Sequence, residues 1–403
     1  MKTRCVICKG RGFCGRPFCP ILAKLGAVKH ISVGDSIFGA SPPSVFVGRA
    51  GYPEVRAGPL VPPETTAKDA RIYGDPTQWL DQGIDAVIGL RSNLVRSNTQ
   101  LNIRSPRALD NRLLIKTQEL AMASAPVDTE VRFLKPPKME VRFDGILSPM
   151  GPSGILKDMS ITENPSVPRK VDRLVSDTDV LATDAAVELY GGDISVYHIN
   201  RLLSVGLLGR KNDRRLVPTR WAITATDDIV GKELIERVKD HSVLDGIRLF
   251  SIQKFGNHFE ILLLPRPFSF ELIEIWMPRS AWVSEGTWIG ADREGYAGKK
   301  AYSLLTGGYY AARLSAVEYL ERIKRQASIF IVREILPDYW APLGVWVIRE
   351  TVRNAMMQGP KRFETADAAL NDIATRIRTP LPRWRKEAKL IHDFKFQKTL
   401  DSF

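Results

Sequence analysis

Residues 247–278 read IRLFSIQKFGNHFEILLLPRPFSFELIEIWMP, and this stretch sets the fold class. Short apolar runs rich in Ile, Leu and Phe, punctuated by Phe-Gly-Asn and Pro-Arg-Pro, are the pattern of antiparallel strands. Gly256-Asn257 supplies a hairpin turn. The polar positions Gln253, Glu260, Glu271 and Glu274 are expected to line a sheet face. Glu271 and Glu274, three apart, must point to opposite sides of a strand, which argues against a carboxylate dyad.

Helices follow. TGGYYAARLSAVEYLERIKRQ (306–326) carries an apolar stripe of Tyr310, Leu314, Val317, Leu320 and Ile323. Glu318 with Arg322 and Glu321 with Arg325 have the i,i+4 spacing of helical ion pairs. ASIFIVREIL (327–336) reads as a buried strand, and GVWVIRETVRNAMM (344–357) and ETADAALNDIATRIR (364–378) as helices. Six of the eight tryptophans fall between Trp276 and Trp384, and core is the favoured reading over a base-stacking array. The fold class is α+β: mixed antiparallel sheets with helices.

Upstream, PTQWLDQGIDAVIGLRSNLVR (76–96) spaces Trp79, Leu80, Ile84, Val87, Ile88 and Leu94 as a helix, with Thr77 as its cap and the helical pattern running to about Ser124. TEVRFLK (129–135) and MEVRFDGI (139–146) read as strands, and SPMGPSGI (148–155) as a turn with a weak resemblance to a phosphate loop. Residues 183–224 offer a helix, a Gly-Gly break, a second helix, and a hairpin pairing GLLGR with LVPTRWAIT across Lys211-Asn212-Asp213-Arg214. That order is winged-helix-like. Arg210, Lys211, Arg214 and Arg215 would then sit at a wing tip over DNA phosphates, with Arg220 close behind. The competing reading is a small α+β piece with a solvated basic turn.

The net charge of +13 points to a polyanionic partner, and nucleic acid is the commonest. SPPSVFVGRAGYP (41–53) places Arg49, Tyr52 and then Arg56 beside glycines, where backbone can approach a phosphate. No apolar run nears the ~18 residues of a membrane span, and the start MKTRCVICKG lacks the apolar core of a secretory signal. A soluble cytoplasmic protein is expected, with no membrane partner. Asp227-Asp228 and Asp292/Glu294 are metal-ligand candidates, although adjacent acids are more often solvated turns. No motif decides whether the chain is an enzyme. The alternative to a binding factor is a nuclease or transferase whose pocket uses Arg49, Tyr52, Arg220 and Asp227 or Asp228.

All four cysteines stand in CVICKGRGFCGRPFC: Cys5, Cys8, Cys14 and Cys19. A C-x-x-C pair, then glycines that let the chain return two further thiolates, is the donor set of a closed structural Zn²⁺ site. Two disulfides would suit a secreted mini-domain, and a redox pair would need no second pair. At the other end stands KFQKTLDSF (395–403). Gln397, Leu400 and Phe403 repeat every three residues, which a 3₁₀ turn stacks on one edge as an apolar plug. This Q-x-x-L-x-x-F pattern resembles the motif that docks replication and repair proteins onto the DNA sliding clamp, PCNA. Five segments follow: 1–30, a zinc knuckle; 31–170, Pro/Gly-rich α+β; 171–265, winged-helix-like with strands; 266–382, α+β with the long helix; and 383–403, a flexible basic tail.

The runs CVICKGRGFCGRPFCP (5–20), SPPSVFVGRAGYP (41–53), RLVPTRWAITATDD (215–228), GGYYAARLSAVEYLERIKRQA (307–327) and PDYWAPLGVWVIRE (337–350), with the tail, resemble the archaeal Nre family of DNA-repair proteins, NreA type. At Ala222 that pattern leads one to expect Ser. The resemblance implies a role in repairing damaged DNA, an N-terminal zinc finger, and clamp binding through the tail.

Overall fold

The computed structural model describes residues 33–396 except 109, 139–150 and 284, together with 11–13, 19, 22 and 26. The predicted strand 139–146, Cys5, Cys8 and Cys14, and Gln397, Leu400 and Phe403 lie outside the described residues. Two compact units meet in sequence between Val230 and Gly231.

The N-terminal unit is built on β1 (Ser36–Ser41), β2 (Val45–Val47), β3 (Glu54–Val61), β4 (Val95–Asn102), β5 (Val127–Phe133) and β6 (Ser153–Ile161). They form one sheet in the order β1-β5-β6-β4-β3-β2, antiparallel except for β4 beside β6. Its helices are α1 (Ala67–Gly74), α2 (Ile84–Asn93), α3 (Arg112–Met122), α4 (Arg169–Ser176), α5 (Ala182–Tyr190), α6 (Val196–Ser204) and the start of α7 (Thr219–Lys239). One apolar cluster joins β2 and β3 to α3–α6 through Val47, Val55, Leu114, Leu174, Leu189 and Leu202. A second, with Val61, Val95, Leu120, Val131 and Met159, fills the other end of the sheet.

Local expectations here were met unevenly. Residues 76–96 are not one helix. Asp75 caps a 3₁₀ turn, Pro76–Gln78, by accepting the Thr77 N–H, and α2 begins only after Gly83. The chain then extends into β4, whose partners β3 and β6 are remote in sequence. Ser153 and Gly154, read as a turn, open β6.

The winged-helix reading is overturned. Residues 206–218 form turns and a 3₁₀ piece (Lys211–Asp213) without strands, and TRWAIT starts the 21-residue α7. The β-branched Thr219, Ile223 and Thr224 gave that run its strand-like look. Pro218, whose carbonyl takes the N–H of Trp221 and Ala222, starts the helix instead.

The C-terminal unit holds β7 (Ile247–Lys254), β8 (Asn257–Leu264), β9 (Ser269–Trp276), β10 (Trp288–Glu294), β11 (Ser328–Ile335) and β12 (Lys361–Phe363), in the order β10-β9-β11-β8-β7-β12. Only β9 and β11 run parallel. The β7–β8 turn centres on Phe255 and Gly256, both at positive φ (50° and 69°), so Asn257 opens β8 rather than ending the turn. A Cβ on Gly256 would lie 2.5 Å from the Tyr339 backbone nitrogen, so only glycine fits. β8 and β11 are buried at every residue, as central strands covered on both faces must be.

α8 (Gly307–Ile323) and α9 (Trp346–Met357) pair with each other, and α10 (Ala366–Ala374), α11 (Leu381–Arg385) and α12 (Lys389–Phe396) complete the unit. Trp384 is fully buried and stacks on Phe330 at 6.3 Å. The chain from Leu381 to Phe396 therefore forms two short helices against the unit, not a flexible basic tail. Trp276, Trp340, Trp346 and Trp384 are core, as favoured, whereas Trp282 is half-buried and Trp288 exposed. Glu318 pairs with Arg353 and Glu321 with His241 and Lys324, rather than with their i+4 arginines. The bounds drawn at 170, 265 and 382 fall inside the two units.

Candidate nucleic-acid interface

The loop between β2 and β3 is GRAGYP, residues 48–53. Gly51 has φ +83°, and a Cβ there would lie 2.7 Å from the Glu54 carbonyl oxygen that the turn brings close. The Glu54 N–H closes the turn on Gly51 O at 2.9 Å, and the Gly48 N–H extends the ladder to Arg56 O at 2.7 Å. Arg49 and Tyr52 are left exposed at the tip.

Long-range bonds bring the first turn of α7 to this loop. The Val47 N–H donates to Thr219 Oγ1 at 2.9 Å, and Thr219 Oγ1 shares a 3.1 Å hydrogen bond with Ser204 Oγ. Arg220 and Trp221 follow on the exposed first turn. Tyr52 (47% exposed) and Trp221 (46%) meet with ring centroids 5.5 Å apart and planes tilted by 55°. Two rings that could have buried their faces instead form an open aromatic corner, flanked by Arg49 and Arg220. The edge continues through backbone pairing. The Ile103 N–H donates to Pro53 O, and the Leu216 N–H to Ile103 O, so exposed Arg104 and Arg215 adjoin the corner.

The remaining predicted cations behave differently. Arg214 donates to Gly209 O (2.8 Å), Val175 O (2.8 Å) and Asp177 O (2.9 Å), so it braces the loop before α7. Burial lowers its pKa, opposed by Asp177. Arg210 pairs with Asp213 at 3.2 Å, and Lys211 is exposed on the 3₁₀ turn.

Asp227 is fully buried and Asp228 half-buried, two turns into a helix rather than on a solvated turn. Asp292 pairs with Lys299 at 2.6 Å and accepts the Leu304 N–H. Burial raises its pKa, but Lys299, Ser303 and the backbone donors win and hold it below the usual carboxylate range. Glu294 accepts bonds at both oxygens from the fully buried Arg313 (2.9 and 3.1 Å). Among the described residues, no group of three or more His, Cys, Asp or Glu is placed to hold a metal. Cys19 is half-buried and makes no disulfide among the described residues.

Glu260 and Glu271 share one sheet face, and Glu274 takes the other. Arg376 forks onto Glu260 (2.6 and 2.9 Å), while Arg333 pairs with Glu274 at 2.6 Å. Gln253 is exposed. Trp221 is the interface residue that sequence reasoning missed, because it was placed inside a wing strand. The Pro-Thr before it was the available signal of a helix start.

Residues 13–283 match the family described as archaeal Nre, N-terminal, and residues 294–403 the one described as archaeal Nre, C-terminal. DNA repair protein NreA of Archaeoglobus fulgidus is 40% identical over 385 residues, 96% of each chain. DNA repair protein NreB of the same organism is 38% identical over 96% of each chain. NreA of Haloferax volcanii is 36% identical over 89% of this chain and 87% of its own. No solved structure matches. With both halves matched and such identity sustained along the chain, this protein belongs to the archaeal Nre family.

Proposed function

We propose that this protein is a DNA-repair factor that engages DNA through the corner formed by Tyr52 and Trp221 with Arg49, Arg220, Arg215 and Arg104, and docks onto the sliding clamp through Gln397, Leu400 and Phe403. The observation that carries the reading is the near-full-length identity to proteins named as DNA repair proteins. The corner supplies what a nucleic-acid strand needs: cations for phosphates and open ring faces for bases. A net charge of +13 supports the same partner. Cys5, Cys8, Cys14 and Cys19 have the spacing and donor softness for one structural Zn²⁺, which would hold the N-terminal knuckle. The tail supplies the apolar plug of a clamp-docking segment. Among the described residues, no helix is long and apolar enough to cross a membrane.

The test is complementation. Cells deprived of this chain should become sensitive to DNA-damaging agents. The intact gene should restore resistance, whereas Arg49→Ala/Arg220→Ala and a chain lacking residues 397–403 should not. Undiminished resistance in the deletion strain would remove the repair reading.

A further inference from the structure

The sheet of the N-terminal unit buries one face. Val55, Ala57 and Leu101 point into one apolar cluster, and Phe133 and Leu156 into the other. Side chains alternate along a strand, so Arg56, Gln100, Asn98, Ile155 and Leu134 share the opposite face. Strand register sets them side by side. The Gly48 N–H bonds Arg56 O, Arg56 is paired with Gln100, Asn98 is paired with Ile155, and the Leu134 N–H bonds Ile155 O. One continuous path therefore crosses β3, β4, β6 and β5. It starts at the base of the loop that carries Arg49 and Tyr52.

The chemistry of the path changes along its length. Arg56 and Gln100, next to the corner, are exposed, and Arg56 makes no ion pair among the described residues. Farther on, Ile155 is 51% and Leu134 61% exposed, while Leu156 and Phe133, one residue away, are buried. The acids that flank the path are engaged. Glu54 accepts the Asn102 amide. At the far end Asp158 stands opposite Arg132, which also pairs with Glu130 at 3.0 Å.

A sheet face that meets only water is polar. This one instead joins an unpaired cation to an exposed apolar strip, and it continues from the aromatic corner. A single nucleic-acid strand matches both parts, with phosphates for Arg56 and base faces for the apolar strip. A duplex keeps its base faces stacked inside and matches only the first. Three strand spacings of ~4.8 Å make about 14 Å, room for about four nucleotides at ~3.4 Å each.

We propose that a single DNA strand leaving the aromatic corner continues over this sheet face, with a phosphate on Arg56, a base edge at Gln100 and bases lying on Ile155 and Leu134. The inference rests on the DNA reading of the corner and extends it, giving the strand a direction and the site a preference for single-stranded over duplex DNA.

The test is binding of a labelled oligothymidylate of about 12 nucleotides, within the usual range of single-strand site sizes, to the full chain. Fluorescence anisotropy is followed across salt, and the Tm of each variant checks its fold. Arg56→Gln should lower the slope of log affinity against log salt by about 0.7, one phosphate contact. Leu134→Ser/Ile155→Ser should weaken binding about tenfold with the slope unchanged, because no phosphate contact is lost. The same double variant should bind a duplex of that length as the wild type does.

Wild-type affinity and slope in both variants, while Arg49→Ala/Arg220→Ala still binds more weakly, overturns the path and leaves the corner standing. Wild-type behaviour in all three removes the corner reading and the path with it. A change of oligomeric mass by light scattering with strand binding unchanged makes this face a contact between copies of the chain, and that too overturns the proposal.

Discussion

Tyr52 and Trp221 each leave almost half of their surface in water although they touch, and an aromatic pair at a solvent edge gains more by receiving a third ring. Base stacking on such side chains contributes ~1–3 kcal/mol per base. Trp221→Ala should therefore weaken binding of a single strand about tenfold, and Trp221→Phe should restore most of it, as read by fluorescence anisotropy.

A second residue-scale consequence concerns Glu271. It is buried, and burial pushes its pKa up to about 7 even though the N–H groups of Leu390 and Lys389 bond its oxygens; Arg293 lowers the value and Asp393 raises it. With the folded-state pKa above the ordinary 4.5, the folded chain holds the extra proton between about pH 4.5 and 7. Stability from this group is full below pH 4.5 and is lost as pH rises through 7. The loss is at most ~3 kcal/mol, from ~1.4 per unit of pKa. Unfolding followed from pH 5 to 8 should show a falling Tm, and Glu271→Gln should flatten it.

At the scale of the element, α7 carries the lesson about legibility. Its start was read as a strand because Thr219, Ile223 and Thr224 suit one. What fixes it as a helix is Pro218 together with the Val47–Thr219 bond, whose partners are 172 residues apart and invisible to local pattern. β4 was missed for the same reason, its partners being distant. β8, β11 and α8 were legible because their own apolar periodicity matches their burial. Of the candidate interface, Arg49 and Tyr52 were singled out by the glycines beside them, and Arg220 by its place behind the expected wing. Their convergence was not, since it depends on tertiary pairing through Ile103 and Leu216. Within the basic turn, Arg214 is a brace. Arg214→Ala should destabilise the chain by ~2–3 kcal/mol, through three lost charge-assisted bonds to backbone carbonyls. Lys211→Ala should change neither stability nor DNA affinity. Chemical denaturation with paired binding curves separates the two.

At the scale of the whole molecule, the proposed function divides the work between the two ends and the folded body. One Zn²⁺ per chain is expected, and Cys8→Ser should lose it by metal analysis. Helix α12 ends at Phe396, next to the proposed docking residues. A peptide of residues 393–403 should bind the clamp near ~1 μM, about −8 kcal/mol. Either Leu400→Ala or Phe403→Ala should cost ~2 kcal/mol, some thirtyfold, by calorimetry.

The central claim, that the folded body grips DNA at the aromatic corner, is tested most directly by the salt dependence of DNA binding. Each phosphate contact adds ~0.7 to the slope of log affinity against log salt on single strands. The intact chain should show a steep slope, and Arg49→Ala/Arg220→Ala should reduce it by about 1.4 with the fold unchanged. An identical slope in the double variant would contradict the account.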